Sequence, residues 1–270
     1  MELKDVNGKP LAEQGVVFTS SLSGSEIGKV TEKGNGIYEA SLVGTKAGQA
    51  TISVGVNGKP LVGKTATLTL TADNSKPSNE KSKLEADPIE IVADGQASST
   101  IKLTLLDVND NPLAGQKVEF TSDLKNSHVS DVVKDEGNGI YSATLTGTTA
   151  GKASIEVKVN DVVLPVKDAA IVTLTADSSN PSLDKSKLTA EPITIVADGK
   201  DSTTLKLTLI DIKDNPITGY PDKVVFSTEP ADSKIKLEAV TEQDPGVYSA
   251  KLTGTQAGDI SITDKFNGLE

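Results

Sequence analysis

Three stretches of this chain are near-copies of one another: GNGIYEASLVGTKAG from Gly34, GNGIYSATLTGTTAG from Gly137 and DPGVYSAKLTGTQAG from Asp244, spaced by 103 and 107 residues. Two further sets keep a similar interval. DVNGKP starts at Asp5, DVNDNP at Asp107 and DIKDNP at Asp211, while PIEIVADG at Pro88 returns as PITIVADG at Pro192. Self-similarity at a fixed period constrains a fold more than any single motif, because each repeat must be a supersecondary unit in its own right. A period of roughly 100 residues is the size of one small domain. The chain therefore divides into units 1–77, 78–181 and 182–270. Only the middle unit is whole. The first opens at the DVNGKP turn and the third stops near FNG, so both are expected to leave unpaired sheet edges or open core. The chain reads as a segment of a longer polypeptide.

Within the middle unit, seven short stretches have strand character and end in Gly, Asn, Asp or Pro turns. They are Leu84 to Val92, Thr100 to Asp107, Gln116 to Ser122, His128 to Lys134, Ile140 to Thr146, Lys152 to Val159 and Ala169 to Thr175. TIKLTLLD alternates Ile101, Leu103 and Leu105 against Lys102 and Thr104, a period of two that turns one face to a core and the other to water. Helical periodicity is absent, so the fold class is all-β. Seven short antiparallel strands in about 100 residues is the pattern of an immunoglobulin-like β-sandwich. Three such units end to end make an elongated rod on the order of 100 Å long. The cysteine and tryptophan pin of antibody domains is missing. Each unit instead repeats one Phe (Phe18, Phe120, Phe226) and one Tyr (Tyr38, Tyr141, Tyr248), and these are the expected core anchors. TADNSKPSNEKSKL and TADSSNPSLDKSKL, between the units, read as short exposed linkers stiffened by Pro77 and Pro181.

Composition then removes whole classes of function. A formal net charge of −11, with no Arg, opposes contact with nucleic-acid backbones. No apolar run is long enough to cross a membrane as a helix. Zero Cys excludes thiolate metal sites and a cysteine nucleophile. His128 is the single His and sits among polar residues, which leaves neither a catalytic triad nor a histidine zinc site. With aromatics at 3 %, few remain to line a carbohydrate cleft between paired acids. The glycine-rich stretches lie between strands rather than before helices, so they cradle no phosphate. The chain reads as a non-enzyme without cofactor. DVNDNP has two readings. Asp107, Asn109, Asp110 and Asn111 offer oxygens for calcium, as in a cadherin-like spacer. The preferred reading is a β-turn, because Gly8 replaces Asp110 and Lys213 replaces Asn109 in the other copies, and a lysine ammonium opposes a cation. On that reading the motif lies inside a unit, away from the junctions.

The ordered set of ADG, an alternating strand, the D-x-N-x-N/K-P turn, V-x-F, GNGIY-x-A, T-x-AG and T-L-T-A-D resembles the bacterial immunoglobulin-like (Big_1-type) repeats of the intimin and invasin adhesins. The resemblance covers essentially the whole chain. It implies a stalk or adhesion segment of an outer-membrane-anchored protein on the bacterial cell surface, with anchor and signal peptide elsewhere. It also implies a monomer whose partner is a host cell-surface or extracellular-matrix protein, met by this segment or by a distal tip.

Overall fold

The computed structural model describes residues 1–229, 231 and 234–269. Its middle unit is a sandwich of two sheets. In the first sheet the strand order is Ser127–Val129, Ile140–Gly147, Ser99–Thr104, Lys83–Asp87, and Lys134–Gly137 also pairs with Ile140–Gly147. In the second it is Val118–Ser122, Gly151–Val159, Ile171–Thr175, Glu90–Val92, with Val162–Val163 returning onto Gly151–Val159. The period-two pattern decides which side chains meet. Ile101 and Leu103 stand opposite Ala143 and Tyr141. Together with Leu105 and Leu145 they face Phe120, Ile155, Val157, Val172 and Leu174 of the other sheet in one buried cluster. Each fully buried Leu, Ile or Val contributes about 1.5–3 kcal/mol, so this one apolar layer carries the unit without disulfides.

Two of the seven strand stretches are broken in the fold. Leu84 to Val92 splits at Pro88, which has no N–H to give to a ladder. Lys83–Asp87 stays in the first sheet, and Glu90–Val92 crosses to the second, where it pairs in parallel with Ile171–Thr175. The sandwich is therefore not wholly antiparallel, as the sequence pattern suggested. His128 to Lys134 likewise divides into Ser127–Val129 and the start of Lys134–Gly137, both on Ile140–Gly147.

The outer units hold parts of the same plan. In the first, Val16–Ser20, Gly48–Val56 and Lys59–Leu70 form one three-stranded sheet. Leu68 is 37 % exposed where its counterpart Val172 is fully covered, because no strand of the first unit lies over it. Phe18 is for the same reason only partly buried, whereas Phe120 and Phe226 are buried and Tyr38, Tyr141 and Tyr248 almost completely so. In the third unit the second sheet has, among the described residues, Val224–Glu229 and Ser261–Phe266. The PITIVADG stretch, without an equivalent of Ile171–Thr175 beside it, forms no strand.

One side chain in the third core breaks the pattern. Phe120 stands opposite Val157, and Phe226 stands at the matching register opposite Asp264. Asp264 lies among Leu188, Leu207, Leu209 and Phe266, and burial pushes its carboxyl above the ordinary 3.8. A carboxyl whose folded pKa is raised stabilises the fold fully only below its ordinary value, and that contribution is lost as pH rises through the folded value. The raised direction implies that ionisation of this half-buried carboxyl opposes folding at neutral pH. Replacing Asp264 with Val, the residue of the middle unit, is expected to stabilise the third unit by about 1–3 kcal/mol at pH 7 and by less at pH 3. Denaturant midpoints at the two pH values check this, and an equal gain at both would remove the carboxylate as the cause.

Candidate functional site: the junction between units

DVNDNP is a closed turn built on one buried carboxylate. Asp107 is wholly buried. Its Oδ1 accepts from the backbone N–H groups of Asn109 at 2.8 Å and Asn111 at 2.9 Å. Asp107 N–H and the Asn111 carbonyl close the ring at 2.9 Å. Asp110 takes the left-handed conformation the turn needs, at φ 63°, and short polar residues tolerate that region best. The second carboxylate oxygen reaches outside the turn. Oδ2 accepts from the Asn111 side-chain amide at 2.9 Å and from the backbone N–H of Asp73, in the linker, at 3.1 Å. Burial alone would raise the Asp107 pKa, but these bonds outweigh it, led by those from the Asn111 side chain and backbone, and the group sits below 3.8.

The linker is sewn to the same turn. Ser78 N–H donates to the Leu106 carbonyl at 2.8 Å, and the Ser82 hydroxyl accepts from Leu106 N–H at 3.1 Å. Ser78 and Ser82 are buried, so this stretch is not the exposed spacer its composition implies. It folds back along the next unit and brings the preceding unit onto the turn.

That contact is made by an amide reading a peptide. Asn111 Oδ1 accepts from Ala47 N–H at 2.7 Å, and its Nδ2 donates to the Thr45 carbonyl at 2.9 Å. Lys46 Nζ adds a bond to the Asn109 carbonyl at 2.9 Å. A carboxamide has one acceptor and two donors, and here all three are matched, the second donor going to Asp107. The arrangement recurs at the next junction. Asp211 accepts from Lys213, Asn215 and Asp177 backbone N–H groups at 2.8, 2.8 and 2.9 Å. Asn215 accepts from Ala150 N–H at 2.7 Å and donates to the Thr148 carbonyl at 3.1 Å. The turn of the first unit keeps the Asp but not the Asn. Asp5 accepts from Asn7 and Lys9 N–H at 2.9 and 2.8 Å, with Lys9 in the place of Asn111. The Asp therefore makes the turn, and the Asn makes the junction.

The structure thus moves DVNDNP from the interior of a unit to its boundary, contrary to the reading that set it away from the junctions. The four calcium candidates do not converge. Both Asp107 oxygens are occupied by N–H donors, Asn109 takes part through its backbone, Asp110 pairs with Lys81 at 3.2 Å, and Asn111 faces the preceding unit. Among the described residues no group of three or more His, Asp or Glu side chains is placed to hold a metal. Behind the turn, each anchor Tyr locks the segment that follows it. Tyr141 Oη donates to the Leu113 carbonyl and accepts from Gln116 N–H, both at 2.8 Å. Tyr38 does the same with Leu11 and Gln14, and Tyr248 with Ile217 and Tyr220. Sequence reasoning missed the acceptor side of the junction. Thr45, Ala47, Thr148 and Ala150 act through backbone atoms, and the repeated T-x-A-G was their only trace.

Small β-sandwiches joined in series by a repeated polar clasp define a tandem immunoglobulin-like array. The chain belongs to the family described as Invasin, domain 3, whose sequence profile matches residues 1–73, 78–177 and 182–270. The inverse autotransporter adhesin YeeJ of Escherichia coli (strain K12) is 27 % identical over 276 residues, which cover 97 % of this chain and 11 % of that protein. The crystal structure of invasin, described as a bacterial integrin-binding protein, matches with a TM-score of 0.66 and 33 % identity over 99 % of this chain and 53 % of that one. FdeC, an adhesin of Escherichia coli, matches with a TM-score of 0.66 and 28 % identity over 98 % of this chain and 85 % of that one. The chain thus spans about a tenth of the first relative and about half of the invasin structure.

Proposed function

We propose that this segment is a stiff spacer in the stalk of a bacterial surface adhesin, with units 1–77, 78–181 and 182–270, and that it acts as a monomer. The observation that carries the reading is the repeated clasp, in which one buried Asp ties linker to turn and one Asn ties the turn to the preceding unit at both junctions. A spacer needs its units held at a fixed angle, and directional hydrogen bonds to backbone supply that better than apolar contact does. The longer protein would stand on the outer membrane and meet a host cell-surface or extracellular-matrix protein. Invasin is described as integrin-binding, and the target contact is assigned here to another part of the polypeptide. The acidic surface and the absence of Arg disfavour nucleic acid as a partner.

Small-angle scattering tests the spacer. The wild-type chain is expected to give the profile of one extended, rigid particle. Asn111→Ala with Asn215→Ala removes two junction bonds at each site, worth about 0.5–1.5 kcal/mol each, and is expected to broaden the distance distribution while each unit stays folded. A compact wild-type particle, or saturable binding of this segment alone to host matrix proteins, would overturn the reading.

A further inference from the structure

The loop that receives the asparagine exists a third time, uncovered. Thr255-Gln256-Ala257-Gly258 follows Gly254 as Thr45–Gly48 follows Gly44 and Thr148–Gly151 follows Gly147. Two features of its backbone recur. Gly48, Gly151 and Gly258 have φ of 151°, 154° and 156°. Thr45, Thr148 and Thr255 N–H groups donate to the carbonyls of Gly24, Asn126 and Lys234 at 2.9, 3.1 and 3.1 Å. The surroundings differ. Ala47, Gly48, Ala150 and Gly151 are half-buried, whereas Thr255 through Gly258 are all exposed. The third loop thus keeps the Gly conformation and the Thr N–H bond of the two docked loops with no partner in place.

We propose that Thr255–Gly258 is a docking surface for a side-chain carboxamide, presented as the Asn of a D-x-x-D-N-P turn on a further immunoglobulin-like unit. The Thr255 carbonyl would accept from the amide nitrogen and Ala257 N–H would donate to the amide oxygen, as at the two junctions within the chain. This rests on the spacer reading and adds a selection rule to it. The first turn of a second copy does not satisfy the loop, because Lys9 stands at the Asn position. An ammonium has three donors and no acceptor, so it can meet the Thr255 carbonyl but leaves Ala257 N–H without a partner. The fifth residue of the turn therefore decides which unit docks, and the chain does not join itself head to tail.

Amide hydrogen exchange tests this on the 270-residue chain and on an extended chain, in which a second copy of residues 164–270 follows Glu270. That copy supplies a counterpart of Ile171–Thr175, a linker, and a turn carrying the counterpart of Asn215. In the 270-residue chain Ala47 and Ala150 N–H groups are expected to be protected and that of Ala257 not. In the extended chain Ala257 is expected to gain about tenfold protection, and to lose it when the appended Asn is replaced by Lys. An unprotected Ala257 in the extended chain, with Ala47 and Ala150 still protected, would overturn the docking surface alone. Equal protection with Asn and Lys would overturn the selection rule. Loss of protection at Ala47 and Ala150 in the 270-residue chain would instead count against the clasp, and so against the spacer reading.

Discussion

Replacing Asp107 with Ala is expected to destabilise the middle unit by about 3 kcal/mol and to free the first junction. The carboxylate is wholly buried and satisfies four donors, from Asn109, Asn111 twice, and Asp73. Without it those donors stay in the turn with no acceptor, and buried unmet donors cost more than the bonds they once made. Asp5→Ala is the comparison. Its carboxylate accepts from two turn N–H groups and is only half-buried, so the expected loss is about 1 kcal/mol. The effect also depends on pH. The Asp107 pKa is lowered from 3.8, so its contribution is full above that value and is lost as pH falls through the folded value. The gap between wild type and Asp107→Ala should therefore close in strong acid. Denaturant midpoints at pH 7 and below pH 3.8 measure it. A loss at pH 7 no larger than that of Asp5→Ala would mean that the buried bonds add nothing to the turn.

Gly139→Ala is expected to cost about 3 kcal/mol, and Gly137→Ala, two residues away, about 1 kcal/mol. Both glycines of GNG take positive φ, 82° at Gly137 and 72° at Gly139, so both substitutions meet the left-handed penalty. Only one meets a wall. A Cβ at Gly137 has nothing within 4 Å, whereas one at Gly139 lies 2.4 Å from the Leu105 carbonyl oxygen and 2.9 Å from Leu113 N. Those two atoms are hydrogen-bonded to each other at 3.0 Å and hold the strand end that carries DVNDNP. The methyl group would pry that bridge open. The expected signature is a lower denaturation midpoint for Gly139→Ala together with faster exchange at Leu113 N–H, neither shown to that degree by Gly137→Ala. Equal losses would show that the close approach is absorbed elsewhere.

Much of this architecture was legible because strands carry a period of two. Ile101, Leu103 and Leu105 announce a buried face, and the recurrence of GNGIY and T-x-A-G announces tandem units, whatever the chain does in space. The Asp and Asn content of DVNDNP announced a turn. Less was legible at Pro88, where a stretch that reads as one strand crosses between sheets, because the acceptor strand Ile171–Thr175 lies about 80 residues along the chain, a long-range pairing of the kind sheets permit. Asp264 read as one more dispersed acid. Only its register opposite Phe226 places it in a core.

The amino-acid sequence by itself determined the all-β class, the unit length and the turn, since these follow from local periodicity and from side chains that bond within a few residues. The position of that turn in the array was decided only by the tertiary structure. Asn111 meets Ala47 across 64 residues and Asn215 meets Ala150 across 65, and both partners act through peptide groups that every residue possesses. A contact to backbone leaves no residue type behind to announce it. The linker had to fold back along Leu106 before the turn could be recognised as the hinge-pin of a junction.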